Sequence, residues 1–388
     1  MIIFLTNYLN IHQLPFSLAM WNELGDEFKL VSMTGITEAR LKLGFEDLDR
    51  KYDFVIRAYE SEDTLKRAIE QVDRCDVLIA GSIEDKYLIP RLKKNKLTFR
   101  YSERYFKRGV GLYEFLSACK HLRPFQKYKS LYYLCSSAYT PLDINTFSKF
   151  EDRMYKWGYF PELKVYDDIS ELVERKCKKS IMWCGRMVGW KHPEAVIEVA
   201  KALKEEGIQF SMNIVGDGEE MPLIKEMIEE YDLGAYINLL GVMPPQKVRE
   251  MMEKSEIYLF TSDRNEGWGA VLNEAMNSAC AVVASHEIGA VPYLIKDGEN
   301  GLIYSDGDIE DLIQKTKLLL KDNEKRKALA DNAYYTVKEV WNGTNAAKTL
   351  LALIECKKAG NNCLPDIDGP CSKAQILKDN WYQKGKVI

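Results

Sequence analysis

The sequence predicts an α/β protein made of two doubly wound domains, each organised around a parallel sheet. Two observations predict it. Short apolar runs alternate with amphipathic, helix-period stretches, and the alternation stops at an aromatic connector, Trp157-Gly158-Tyr159-Phe160-Pro161, before starting again. With 388 residues, 46% of them apolar and 29% charged, the chain is long enough to bury more than one core.

In the first half, residues 2–5, 28–31, 54–56, 77–80, 97–101 and 131–135 read as buried strands. Helix-period stretches lie between them. Ser61-Glu62-Asp63, followed by Leu65, Ala68, Ile69 and Val72, gives a capped helix with an apolar stripe. After the connector come strands at 181–184, 210–215, 237–239, 257–260 and 281–284, with helices at 193–206 and 221–231. Residues 308–356 read as helical, and Ile376, Leu377 and Trp381 share one helical face in a final segment expected to pack on the first domain. The expected division is 1–156, 157–356 and 357–388. Two such domains, facing one another, would bind ligands in an interdomain cleft beyond the carboxyl ends of their strands.

Composition narrows the function. A net charge of -4 excludes a nucleic-acid binder that works through its whole surface. The nine cysteines contain no Cys-x-x-Cys pair, so zinc and dithiol redox roles are not expected and reduced thiols are. Met1 to Leu5 is apolar but lacks a basic leader and reads as a strand. No run approaches the roughly 18 apolar residues of a membrane span. The expectation is a cytoplasmic protein.

Three segments carry the chemistry. Residues 258–276 read as strand, loop and helix, with the helix starting near Trp268. The backbone N–H groups of Gly267, Trp268, Gly269 and Ala270 would then be available to an anion, with the glycines permitting close approach. Glu266 and Glu274 flank this entrance, on the order of 10 Å apart along a helix axis, about the reach from hexose to ribose across a diphosphate. Taken alone, the pair is equally consistent with a favourable charge at a helix start and a solvated helix residue. In the second segment, Arg186 and Lys191 follow a strand that ends at Gly185, a position from which cations can neutralise a leaving phosphate. In the third, Val215-Gly216-Asp217-Gly218 closes another strand in a tight turn that can admit a base or phosphate, or be a plain turn.

In this order and spacing, these segments resemble the C-terminal domain of family-4 glycosyltransferases, a large retaining family with the GT-B fold. The resemblance covers about residues 180 to 345 and includes Gly289-Ala290-Val291-Pro292 and Asp297-Gly298-Glu299-Asn300-Gly301. It implies that Arg186 and Lys191 bind the diphosphate, that Glu266 contacts the donor sugar and Glu274 the ribose, and that configuration is retained without a metal or other cofactor. Asp47-x-Asp49, Asp306-x-Asp308 and Asp366-x-Asp368 are not expected at the site. The first half is similar, more weakly, to bacterial transferases of cell-surface polysaccharide or lipopolysaccharide. It departs from many relatives in having no Gly pair after the first strand, which puts amide contacts from residues 7–13 to the donor in question.

On the acceptor side, His12 follows the first strand and Glu103 the strand at 97–101; the alternatives are a packed loop histidine and a carboxylate paired with Arg100 or Arg104. Residues 91–129 hold twelve Lys or Arg against two acids, with aromatics between them, a composition suited to an anionic membrane surface as well as to an ordinary solvated face. The reading is therefore a hexosyltransferase that uses a UDP-sugar ahead of a GDP-sugar and a glycan or lipid-linked acceptor, with peripheral association at the inner face of the cell membrane. Alternatives on the same fold are a nucleotide-sugar 2-epimerase and a non-catalytic nucleotide-sugar-binding protein. A nicotinamide dehydrogenase would need Gly-x-Gly-x-x-Gly after an early strand, and none is present.

Overall fold

The computed structural model describes the chain except Leu43, Phe45, Arg108, Val110, Asn362, Cys363, Leu364, Asp366, Asp379, Lys384, Gly385 and Ile388; at Ala39, Lys42, His121, Glu151, Gln383, Lys386 and Val387 only the backbone is described. The chain divides into one unit of residues 1–162 and 340–378 and a second of residues 163–339 and 379–388.

The first unit holds strands β1 (Ile2–Thr6), β2 (Phe28–Ser32), β3 (Val55–Arg57), β4 (Val77–Ala80), β5 (Thr98–Ser102), β6 (Leu131–Cys135) and β7 (Met154–Lys156). Their order is β3-β2-β1-β4-β5-β6-β7, all parallel. Every residue of β1 is buried, as expected of a strand covered on both faces. The order reverses between β1 and β4, so the loop after β1 leaves from the switch point. β7 escapes the sequence reading because it is three residues long and ends in Lys156.

The second unit holds β8 (Cys177–Cys184), β9 (Ser211–Val215), β10 (Ile237–Gly241), β11 (Ser255–Phe260), β12 (Ala281–Ser285) and β13 (Leu302–Tyr304) in the parallel order β10-β9-β8-β11-β12-β13. Here the switch point lies between β8 and β11. Helix Pro193–Glu205 buries Ala195, Val196, Val199, Ala200 and Leu203 against this sheet; Pro193 opens it, where a missing N–H costs nothing.

The partition differs from the sequence division at 156/157 and 356/357. Helix Gly343–Lys358 packs within the first unit, where a side chain at Gly343 would lie 2.6 Å from the backbone of Pro15 and Phe16. The last segment is also not one helical face. Residues 371–374 lie alongside β7, with the Cys371 N–H donating to Lys156 O (2.8 Å) and the Ala374 N–H to Met154 O (3.0 Å). Trp381 and Tyr382 instead belong to the second unit, where Tyr382 donates to Ile303 O and accepts from Lys315 Nζ at 3.0 Å. Backbone hydrogen bonding at β7 thus takes precedence over the apolar spacing. Among the described residues no helix is long and apolar enough to cross a membrane.

Candidate functional site

The two strands that flank the switch point of the second unit deliver the two charged segments singled out in sequence. β8 ends at Cys184 and passes through Gly185 and Arg186 into a short turn, Gly189–Lys191; β11 ends at Phe260 and passes into residues 261–270. Lys191 Nζ donates to Glu266 Oε2 at 2.6 Å, and Ser262 Oγ donates to the same oxygen at 3.1 Å. Both partners of this ion pair are largely shielded, with side chains 13% and 14% exposed, which makes it more than a surface pair. Arg186 is exposed and stands 6.0 Å from the Trp190 ring, with Lys191 Nζ 4.7 Å from the same ring.

The Lys191 backbone is fixed from behind. Thr261 Oγ1 donates to Lys191 O at 2.7 Å and accepts from the buried Trp183 Nε1 at 2.9 Å, while the Asp263 N–H donates to Trp190 O at 3.0 Å. His192 then turns the chain into the helix with φ of 49°. Its Nδ1 lies 2.8 Å from Glu194 and its Nε2 3.5 Å from Asp263, and the hydrogen bond to Glu194 lifts its pKa. Neither Trp183 nor Thr261 was singled out from the sequence, although both adjoin the strand ends that were.

The helix expected near Trp268 begins at Val271 and runs to Asn277. The reason is Gly269: its φ of 89° is left-handed, and a side chain there would meet the Phe260 ring at 2.6 Å. The axial separation argued for Glu266 and Glu274 therefore does not hold as a helix rise. The loop is tied down by the Gly289 and Ala290 amides, which donate to Glu266 O (3.4 Å) and Trp268 O (3.1 Å), giving the Gly-Ala-Val-Pro stretch a bracing task. Among the described residues, the amides of Gly267, Gly269 and Ala270 donate to no acceptor. The Trp268 side chain is core, its indole N–H bonded to Asn273 Oδ1 at 2.9 Å.

Glu274 lies half-buried in the helix, and its carboxylate has no hydrogen bond or ion pair among the described residues. Burial lifts its pKa from 4.5 to about 6 against the opposing pull of Arg249. An under-satisfied carboxylate with a displaced pKa is the kind of group that a binding site contains.

Gly216 and Gly218 also have a structural task. A side chain at Gly216 would lie 1.8 Å from Gly185 O, and one at Gly218 would lie 2.3 Å from Met187 O. The turn zips onto the Gly185–Met187 loop through Gly185 N–H to Val215 O (3.0 Å) and Met187 N–H to Asp217 O (2.9 Å). The glycines are required by this loop-to-loop approach, which shapes the segment that carries Arg186.

In the first unit, the structure brings His12 and Glu103 to one tyrosine. His12 stacks on Tyr159 with centroids 5.9 Å apart and planes 11° from parallel; the Tyr159 hydroxyl donates to Glu103 Oε1. Glu103 pairs with Lys107 at 2.7 Å, and not with Arg100, which pairs with Asp85 at 2.9 Å, nor with Arg104, which stands 3.8 Å from Asp143. Burial lowers the His12 pKa to about 4, with Arg40 adding to the effect, and its enclosed Nδ1 has no hydrogen-bond partner. The loop after β1 is closed on itself. Leu9 N–H donates to Asp49 Oδ1 (2.9 Å), and the His12 and Gln13 N–H groups donate to Asn10 Oδ1 (3.0 and 3.1 Å). Those three amides are already used within the unit.

The acidic pairs set aside in sequence are also engaged. Asp49 holds the β1 loop and accepts from Ser32 Oγ at 2.6 Å; Asp306 accepts from Ser285 at 3.1 Å; Asp308 caps the helix Ile309–Lys321. Asp368 pairs with Lys156, and Asp366 lies outside the described residues.

A doubly wound parallel sheet with cations and free amides at its switch point makes the second unit a Rossmann-type α/β unit, and the first unit is doubly wound as well. Residues 167–336 match the family described as Glycosyl transferases group 1. An uncharacterised glycosyltransferase of Methanocaldococcus jannaschii is 30% identical over 202 residues, 50% of each chain. Alpha-D-kanosaminyltransferase of Streptomyces kanamyceticus is 29% identical over 153 residues, 39% of each. WcaL of Escherichia coli, a glycosyltransferase provisionally assigned to colanic acid biosynthesis, is 27% identical over 140 residues, 35% of this chain and 34% of its own. These alignments span half the length of the relatives or less. The fold likeness is wider: HepE of Anabaena, solved with UDP and glucose, superposes with a TM-score of 0.65 at 15% identity over 91% of this chain and 99% of its own. The chain thus has the two-unit GT-B fold.

Proposed function

We propose that the protein is a retaining glycosyltransferase that moves a sugar from a UDP-sugar to a glycan or lipid-linked acceptor in cell-surface polysaccharide synthesis. The observation that carries this reading is the largely shielded Lys191–Glu266 pair beside the free amides of Gly267, Gly269 and Ala270, at the switch point of the second unit. Arg186 and Lys191 take the diphosphate charge with those amides, Glu266 takes donor-sugar hydroxyls, and Glu274 takes the ribose hydroxyls. Gly185, Gly216 and Gly218 shape the loop that holds Arg186, and Trp268 sets the amides from the core. The similarity of residues 167–336 to known transferases, and HepE's complexes with UDP, support the choice of donor.

In the proposed reaction the bond from the anomeric carbon to the β-phosphate oxygen breaks. The acceptor oxygen bonds to that carbon from the same face, and the acceptor proton passes to the departing phosphate. The enzyme's work is positioning and stabilising charge, with no metal required because two cations and a set of amides converge on the phosphates. His12, Tyr159 and Glu103 contact the acceptor in this reading. Residues 91–129 provide peripheral contact with an anionic membrane. Titration calorimetry with UDP tests the donor assignment: wild type binds, and Arg186→Ala binds weakly. Equal affinity in the two proteins would remove Arg186 from the site. Proton NMR of the sugar product tests retention, with an inverted anomer counting against it.

A further inference from the structure

Helix Leu112–His121 is apolar on the side where a surface helix should be polar. Its inward side rests on the small cluster of Phe106, Ala118, Leu122 and Phe147. Its outward side carries Leu112, Tyr113 and Leu116, exposed by 77%, 80% and 59%, with Lys120 continuing the row at the same i+4 spacing; Phe115, at the edge, is 48% exposed. Single exposed apolar residues are ordinary, but a contiguous group on one short helix marks an interaction surface.

The surrounding charge identifies what this surface meets. From Phe115 to Phe150 the only acid is Asp143, which is buried and accepts from the Tyr105 and Phe106 amides at 2.7 and 3.1 Å. Lys120, Arg123, Lys127 and Lys129 are exposed and form no ion pair with a described acid. Most of the other described cations of residues 91–129 have structural tasks, Lys93 being exposed without one and Arg108 lying outside the described residues. Arg91 is buried and donates to Val72 O (2.5 Å) and Cys75 O (2.9 Å), Lys94 pairs with Asp73 (2.5 Å), and Lys96 donates to Asp73 O (2.5 Å). The cationic character of the stretch therefore concentrates beside the apolar helix. Leucines and a tyrosine that can enter the headgroup–acyl boundary, with long cations placed to reach phosphates, are the elements of an interfacial anchor.

We infer that helix Leu112–His121 is the membrane-docking element of this protein. Leu112, Tyr113 and Leu116 enter the interface of a bilayer containing anionic lipid, and Lys120, Arg123, Lys127 and Lys129 lie against its phosphates. The inference refines the membrane contact proposed above and rests on that transferase reading only for the biological reason to be at a membrane. Co-sedimentation tests it, with vesicles of phosphatidylcholine alone or mixed equally with phosphatidylglycerol. Wild type is compared with Leu112→Glu/Leu116→Glu and with Lys120→Gln/Arg123→Gln/Lys127→Gln, and UDP binding is measured in all three. Wild type should sediment with the mixed vesicles. The apolar variant should lose about tenfold or more of this binding at any salt, while the cation variant loses the preference for anionic lipid. UDP affinity should be unchanged throughout. The inference is overturned if wild type stays in solution with both vesicle types, if the leucine variant sediments as wild type does, or if wild type alone dimerises without lipid, which would make a second copy the occupant. Vesicle binding without UDP binding would count against the transferase reading only.

Discussion

Replacing Glu274 by Gln should strengthen the fold and weaken the site. Burial raises the Glu274 pKa from 4.5 to about 6, so between those values the folded chain keeps a proton that the unfolded chain releases. Stability therefore falls as pH rises through that window, and above it the folded state carries a deficit of about 2 kcal/mol for holding the ionised carboxylate. The Gln variant has no such proton to lose. At pH 7 it should be more stable than wild type by up to about 2 kcal/mol, and the pH dependence between the two values should flatten. For a unit of this size the gain corresponds to roughly 4–8 °C in the unfolding midpoint. If the carboxylate accepts ribose hydroxyls, losing its charge should cost about 1.5–3 kcal/mol of UDP binding, roughly a 10- to 100-fold weakening. Denaturant unfolding at pH 4.5, 6 and 7, with UDP calorimetry on the same preparations, reads both effects. A Gln variant less stable than wild type at pH 7 would refute the burial argument, and unchanged UDP affinity would refute the ribose contact.

Other substitutions probe the supports of the site. Thr261→Val removes the donor to Lys191 O and leaves the buried Trp183 Nε1 without its acceptor, so unfolding should show a loss of about 1–3 kcal/mol, with Thr261→Ser close to wild type. Gly216→Ala places a methyl 1.8 Å from Gly185 O and should destabilise the second unit by about 1–3 kcal/mol while weakening UDP binding through the displaced Arg186 loop. His12 is held neutral, with its pKa moved from 6.5 to about 4, so stability should decline as pH falls across that interval, by about 3 kcal/mol in full. His12→Phe, which retains stacking on Tyr159, should show a shallower decline in denaturation curves over the same range; an identical acid sensitivity would exclude His12 as its source.

Legibility followed chain distance and element length. Strands of four or more buried residues, such as β4 and β6, are plain in the sequence because both faces are covered and the apolar run is unbroken. β7 and β13 are not, since three residues without a longer apolar run carry no readable period, whereas the equally short β3 is preceded by the apolar Phe54. Arg186, Lys191, Glu266 and Glu274 were found because the loops after two legible strands, and the helix after the second, resemble a known family in order and spacing; singly none of the four stood out. Tyr159 was visible only as part of an aromatic connector; that it joins His12 to Glu103 depends on three segments meeting, which no local spacing encodes. The loop that meets the Gly216 and Gly218 turn was not legible for a related reason. A glycine signals close approach, but sequence does not say whether a ligand or another loop approaches, and here the loop through Gly185 does.

Arg186 offers the most direct test of the donor site, because its exposed side chain can be removed without disturbing the core. The measurement is UDP release from a panel of UDP-sugars in the absence of acceptor, by wild type and by Arg186→Ala, with folding of both checked by circular dichroism. Wild type should slowly hydrolyse at least one donor, and the variant should release UDP about 100-fold more slowly, the usual scale for one lost donor to a developing oxyanion. Equal rates from the two proteins would contradict the proposed site.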